Sequence, residues 1–218
     1  MSASVDPVPG PSTSRGRATR ERIVAAAAGL MYRHGAAGTS TPAVRDAAGV
    51  SSSQIYHYFA DKAGLTHAVI AHQAEAVVAV QTPLLESVRS FGDLVRWRDL
   101  LVDVVRRQNG AGGCPLGGLA SELADDDPGA RLELAAGFDR WLAAIQGALV
   151  TLVREQVLAE ETDVERHALA LLAAIQGGLL LAQAWGRPEP FEAALDDALD
   201  GLQARAAETT FRSATSAS

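Results

Sequence analysis

Three features of this 218-residue chain predict an all-α fold. Hydrophobic residues make up 48% of it and aromatic residues only 5%; with Ala and Leu abundant, that composition favours close-packed helices over sheets. No internal repeat and no run of alternating strand pattern interrupts it. Residues 41–62 also concentrate the stop and start signals of two short helices around a single glycine.

Taken in order, residues 1–16, with Pro7, Pro9, Pro11 and several serines, read as a disordered arm. A first helix is expected over 18–34. Thr41 is placed to cap a second helix over 42–48, with Pro42 in the first turn, where a missing N–H costs nothing. Gly49 follows Ala47 and Ala48 where that helix should stop, because glycine enters the left-handed conformation without strain. Ser51 restarts a helix over 52–59, and Gln54 three residues on completes a capping-box pattern. This is the helix-turn-helix plan, whose second helix enters the major groove. Ile55 and Phe59, four apart, should plug into the core of a small domain. That leaves Ser52, Ser53, Gln54, Tyr56, His57 and Tyr58 outside. A helix that needed only solubility would carry Lys, Glu or Arg there. Short donors and acceptors with stacking rings suit base edges and phosphates instead.

From Arg20 to about Ile70 the chain resembles the amino-terminal domain of the tetracycline-repressor (TetR) family of bacterial transcriptional regulators. The resemblance is carried by Arg22-Ile-Val-Ala-Ala-Ala27, Gly35, Thr41, Ala48-Gly-Val-Ser51, Ile55-Tyr-His-Tyr-Phe59, Lys62 and Leu65. It implies a three-helix DNA-binding domain over 17–62. A helical effector-binding and dimerisation domain follows over 63–205, and an unstructured tail over 206–218. It further implies that Tyr58 and Lys62 touch the DNA backbone, with Thr41. Ser52, Ser53, Gln54, Tyr56 and His57 are then the candidates for base or groove contacts. Two positions depart from the family: Arg45 stands where a small residue is usual, and Met31 near a usual phenylalanine. Arg45 either reaches a phosphate or lies on the solvent face.

Charge is distributed in keeping with a DNA-facing amino terminus. Residues 1–62 hold seven Lys/Arg against four acids, a net +3; the rest hold twelve against twenty-two, a net −10. An acidic protein whose basic region coincides with its helix-turn-helix presents one face to DNA. Arg15 and Arg17 are placed to follow a backbone or enter a minor groove. Lys62, the chain's only lysine, is a point charge for a phosphate. An architectural DNA-coating protein would need a broader basic surface.

Further helices are expected over 62–81, 93–108, 116–124, 128–157, 163–185 and 190–205, with Asp93, Asp127 and Thr162 at their starts and a second capping box at Thr162 and Glu165. A mostly apolar effector pocket is expected from Trp97, Leu101, Val105, Leu119, Phe138, Trp141, Leu142, Ile145 and Leu149, with Gln108, Gln146 and Gln176 as neutral hydrogen-bonding groups. Residues 168–186 carry no charge over a nearly membrane-spanning length. Gln176, Gln183 and the pair Gly177-Gly178 interrupt that stretch, so no membrane span is expected. The family pattern instead makes the last two long helices a four-helix homodimer interface, with Ala170, Ala174, Gly177, Gly178, Leu181, Phe191, Leu195 and Leu202 as candidates.

Gly112-Gly-Cys-Pro-Leu-Gly-Gly118 resembles a run found in one branch of the family, which includes multidrug-type and some electrophile-sensing regulators. Cys114 is the only cysteine, so no intrachain disulfide forms. Near a helix N-terminus its thiolate would be favoured, making a thiol-based electrophile or redox sensor the alternative to a pocket; a small buried hydrophobe is the other reading. Catalysis finds no support. The histidines at 34, 57, 67, 72 and 167 are scattered without metal-ligand spacing, and neither a phosphate-binding glycine loop nor a nucleophile elbow is present. No cofactor and no metal are expected. With no apolar region behind a charged start, a cytoplasmic compartment is expected. The partners expected are a double-stranded DNA operator, a small-molecule effector and a second copy of the chain.

Overall fold

Helix boundaries here are set by side chains that take up the orphan N–H groups of each first turn. The computed structural model describes residues 13–216, which form nine α-helices and, among the described residues, no strand. They are α1 (Ser14–His34), α2 (Thr41–Ala48), α3 (Ser52–Tyr58), α4 (Lys62–Glu86), α5 (Phe91–Arg107), α6 (Pro115–Leu123), α7 (Pro128–Arg154), α8 (Val164–Trp185) and α9 (Glu189–Ser216).

Several caps differ by one residue or one turn from those expected. Ser40, not Thr41, caps α2: its hydroxyl accepts from Ala43 N at 3.3 Å, and Thr41 is the first helical residue. Ser90 caps α5, and Asp93 closes the capping box from within the helix. The Ser90 hydroxyl and the N–H groups of Arg89 and Ser90 all donate to Asp93, holding its carboxyl below the usual range. Asp163 replaces Thr162 as the cap of α8, accepting from Arg166 N at 3.0 Å. Asp127 caps α7 as expected, accepting from Ala130 N at 2.9 Å.

Two helices outrun their expected ends. α4 continues through Pro83 to Glu86, because the last turn is anchored: Leu85 is fully buried and Gln81 accepts from Trp97 Nε1 at 2.7 Å. α9 continues to Ser216, through the segment expected to be an unstructured tail, since no Gly or Pro stands between 203 and 216 to stop it. At the other end, the first twelve residues of the expected arm lie outside the described residues. α1 begins inside the arm, at Ser14, because Thr13 accepts from Gly16 N at 3.1 Å.

The chain forms two compact units: residues up to Glu75 with Gly118–Ala135, and Ala76–Gly117 with the residues from Ala136 onward. This division differs from the break expected at 62, since 118–135 bonds into the first unit through Glu122, Asp127 and Glu133. Within the second unit α8 and α9 pack closely, with Leu171, Leu172, Ile175, Ala182, Phe191, Leu195, Leu199 and Leu202 in one core cluster. By length and composition alone α4 and α8 are each apolar enough to cross a bilayer; α8 spends one face of that apolar surface on this core. Arg106 ties α5 to α9 by gripping Glu192 through Nε and Nη2, both at 2.7 Å, and that hydrogen bond holds the Glu192 carboxyl low.

Gly178 is where α8 meets α9: a Cβ there would stand 2.9 Å from Phe191 Cα. Gly178→Ala is therefore expected to destabilise the protein by about 1–3 kcal/mol through overpacking against backbone. Gly147→Ala, mid-helix with nothing within 4 Å of its Cβ, is expected to stabilise it by up to ~1 kcal/mol. Thermal melts of the two variants should shift in opposite directions, by about 2–4 °C per kcal/mol.

Candidate nucleic-acid interface and effector region

The turn between α2 and α3 is built as its sequence requires. Gly49 sits at φ 61°, ψ 43°, and its N–H returns to the end of α2. Ser51 caps α3 with both halves of the capping box formed: Gln54 N donates to Ser51 Oγ at 3.2 Å, and Ser51 N donates to Gln54 Oε1 at 2.9 Å. Ile55 and Phe59 are buried to 2% and 4% exposure. Ser52, Ser53, Gln54, Tyr56 and His57 are exposed, Tyr56 at 59%, and Tyr58 is half-buried edge-on to the His57 ring. One face of α3 is thus anchored, and the other offers hydroxyls, an amide, an imidazole and a phenol. Gln54 is more constrained than its sequence suggests, since Oε1 is committed to the cap and Nε2 alone remains for DNA.

Around this helix, Thr41 is half-buried at the start of α2. Arg45 pairs with Asp46 at 2.6 Å on the surface, the kind of exposed ion pair worth little to stability. Arg17 is exposed on the first turns of α1, in a helix and not in an extended arm. Lys62 is exposed at the start of α4, its Nζ 3.5 Å from the Ala37 carbonyl. Two arginines not singled out from sequence hold the unit together. Arg22 Nε donates to the Ala48 carbonyl at 3.0 Å, closing the last turn of α2, and the Arg20 guanidinium lies 5.1 Å over the Phe59 ring. The only prior signal was that both stand at the start of the family-like run.

The candidate effector residues do not all share a fate. Trp97, Val105, Trp141 and Ile145 are buried in the core of the second unit, with Leu101, Phe138, Leu142 and Cys114 partly buried against it. Leu119 is buried but belongs to the first unit. Gln108 is exposed as the C-cap of α5. Gln176 is half-buried, and a Cβ at Gly117 would stand 2.7 Å from its Oε1 and 3.3 Å from Cys114 Cβ. Trp141 Nε1 is a buried donor with no hydrogen-bond partner among the described residues, whereas the Gln176 side chain hydrogen-bonds the Cys114 thiol.

Cys114 stands just ahead of α6 and is partly buried. It caps α6, with Gly117 N donating to Sγ at 3.3 Å, yet burial pushes the thiol above its ordinary range and outweighs that N–H. Desolvation of the charged form exceeds the pull of the helix terminus.

Of the dimer candidates, Gly178, Phe191, Leu195 and Leu202 are buried in the chain's own core, Ala174 is half-buried, and Ala170, Gly177 and Leu181 are exposed. The exposed apolar stripe of α8 instead includes Leu169 (55%), Leu180 (65%), Leu181 and Trp185 (57%). Residues on α9 at the expected spacing turn inward toward α8.

Comparison with known proteins agrees with this geometry. Residues 23–69 match the family described as bacterial regulatory proteins, tetR family, and residues 94–198 match the tetracyclin repressor-like C-terminal domain. An uncharacterized HTH-type transcriptional regulator from the lacX 3′ region of Lactococcus lactis subsp. lactis is 31% identical over 173 residues, 76% of this chain and 83% of the relative. The chain belongs to the TetR family of transcriptional regulators. Like other TetR-family members it is a DNA-binding regulator of helix-turn-helix type. Among solved structures, a TetR regulator from Chloroflexus aurantiacus superposes with a TM-score of 0.74 at 29% identity, covering 86% of this chain and 96% of the other. CifR, in a cysteine-substituted form complexed with 26-bp double-strand operator DNA, shares the fold with a TM-score of 0.71 at 20% identity, covering 84% and 95%.

The raised thiol gives a signed prediction. The folded chain keeps its Cys114 proton at pH values where the unfolded chain has lost it, so this contribution to stability is fully present below the free-thiol range of about 8.5. It is lost as pH rises through the folded value. Urea midpoints between about pH 7.5 and 10 should fall more steeply for the parent than for Cys114→Ala.

Proposed function

We propose that this TetR-family regulator is a homodimeric repressor that holds a palindromic double-stranded operator and is released by a small, mostly apolar or aromatic effector. The observation that carries the DNA-reading half is α3, anchored by Ile55 and Phe59 while Ser52, Ser53, Gln54, Tyr56 and His57 stand exposed. CifR on its operator supports the same use of the fold. Thr41, Tyr58 and Lys62 hold the backbone, and Arg17 and Arg45 add charge nearby. Two such heads on one dimer read half-sites about one helical turn apart or slightly more. The exposed leucines and Trp185 of α8 support the dimer, since an apolar stripe of this kind calls for a cover.

The effector is assigned to the second unit, where Trp141 Nε1 is a buried donor without a partner. A buried unpaired N–H is costly, so an apolar ligand that brings an acceptor oxygen gains there. Release then follows if the ligand favours the DNA-incompetent state, with about 1–3 kcal/mol of coupling typical. Sensing through Cys114 alone has less support, because burial disfavours the reactive thiolate.

Reading and positioning are separable at α3. Lys62→Ala should weaken binding to all sequences alike and lower the salt slope by about one unit. Gln54→Glu keeps the capping box and the melting temperature but loses the Nε2 donor, so base preference should relax at particular positions by roughly 1–3 kcal/mol. Binding-site selection with each variant checks both, and an unchanged selected site for Gln54→Glu would remove Gln54 from the reading set.

Assembly is tested on α8. Leu180→Glu changes a side chain that is exposed in the single chain, so the melting temperature at low concentration should hold. Sedimentation should then shift from dimer to monomer and operator affinity should collapse; a variant that still sediments as a dimer would place the interface elsewhere.

A further inference from the structure

The six-residue turn between α1 and α2 is held by a residue from far along the chain. Gly35 leaves α1 at φ 73°, and the N–H groups of Ala36 and Ala37 then point at one carboxylate oxygen, Glu122 Oε2, at 2.8 and 3.4 Å. A Cβ on residue 35 would stand 2.8 and 2.9 Å from the two Glu122 oxygens. Glycine here makes the turn and also clears the space the carboxylate fills. Two further hydrogen bonds tie the turn down. Thr39 Oγ1 donates to the Gly35 carbonyl at 2.8 Å, and Lys62 Nζ reaches the Ala37 carbonyl at 3.5 Å. Ser40 follows at once as the cap of α2. The direction of α2, and through the Gly49 turn that of α3, therefore follows from a loop in which Glu122 takes up the Ala36 and Ala37 N–H groups.

We propose that Glu122 is a positioning residue for DNA reading: its carboxylate fixes the α1–α2 turn and hence the angle at which the two helices of the motif meet a duplex. A carboxylate suits the task better than an amide, because two N–H donors share one oxygen and charge strengthens both bonds. Glu122 lies on the last turn of α6, the helix whose first turn begins beside Cys114. Nothing in the local sequence of the motif would reveal this, since 86 residues separate Glu122 from Ala36.

The role rests on the DNA-reading function, and the experiment keeps the two apart. The full-length parent selects a duplex from a random library. Dissociation constants are then measured for that duplex and for a random-sequence duplex with the parent, Glu122→Ala and Glu122→Gln, well below each melting temperature. Glu122→Ala is expected to lose about tenfold or more on the selected duplex, the order of a lost charge-assisted hydrogen bond. Random-duplex binding, set by phosphate contacts, should hardly change. Glu122→Gln keeps an acceptor without the charge and should lose roughly two- to fivefold. A folded Glu122→Ala that melts lower but binds the selected duplex like the parent overturns the proposal and leaves Glu122 a brace. Should that variant not fold, Glu122→Gln decides, and a parental ratio of selected to random binding overturns it equally. A parent that selects no duplex removes the DNA-reading function itself, and this role with it.

Discussion

A helix of seven residues does not hold itself together in water, so everything α3 does depends on the burial of Ile55 and Phe59. With both side chains almost fully buried, the helix has one rotational setting about its axis, and its outward residues follow from that setting. The flanking devices serve the same end. Gly49 allows the chain to turn without strain, Ser51 and Gln54 satisfy the first-turn donors, and the Arg20 guanidinium covers the Phe59 ring from α1. Affinity for DNA comes from charges spread around this unit, but its direction comes from two apolar side chains four residues apart.

The parts legible in the sequence were those whose physics is local. A left-handed glycine after a short helix, a capping box and an apolar pair at helical spacing can be read without knowing the fold, and here each is found in place. What escaped was set by partners distant in sequence. Arg22 on the Ala48 carbonyl, Glu122 on the α1–α2 turn, and His67 between Asp127 and Glu133 join residues 26 to 86 positions apart. Caps slipped by one residue wherever two adjacent side chains had the right chemistry, as at Ser40 and Thr41 or at Thr162 and Asp163. Pro83 did not end α4 because burial of Leu85 and the Gln81–Trp97 hydrogen bond fix the turn beyond it.

The effector region was the least legible, for a related reason. Apolar residues at helical spacing describe a core and a pocket wall equally well, and Trp97, Val105, Trp141 and Ile145 all lie in the buried core cluster. The informative atoms are polar ones inside that core. Trp97 N–H is answered by Gln81, whereas Trp141 N–H is not, and only that difference separates a packing indole from one with a donor to spare. The thiol shows the same competition between a local rule and burial. The helix terminus acts on Cys114 through the Gly117 and Leu116 N–H groups, and Gln176 adds a side-chain hydrogen bond, yet burial acts on the whole charged sulfur and prevails.

The capping role of Gln54 has a consequence for how this protein discriminates among bases. A free glutamine amide can flip and so offer either a donor or an acceptor to DNA. With Oε1 held by the Ser51 N–H at 2.9 Å, the flip is blocked and the outward end is a donor. In the major groove such a donor is answered by N7 or O6 of guanine, N7 of adenine or O4 of thymine, and never by the amino group of cytosine. The hydrogen bond that starts the helix therefore also fixes the polarity of the amide it turns outward.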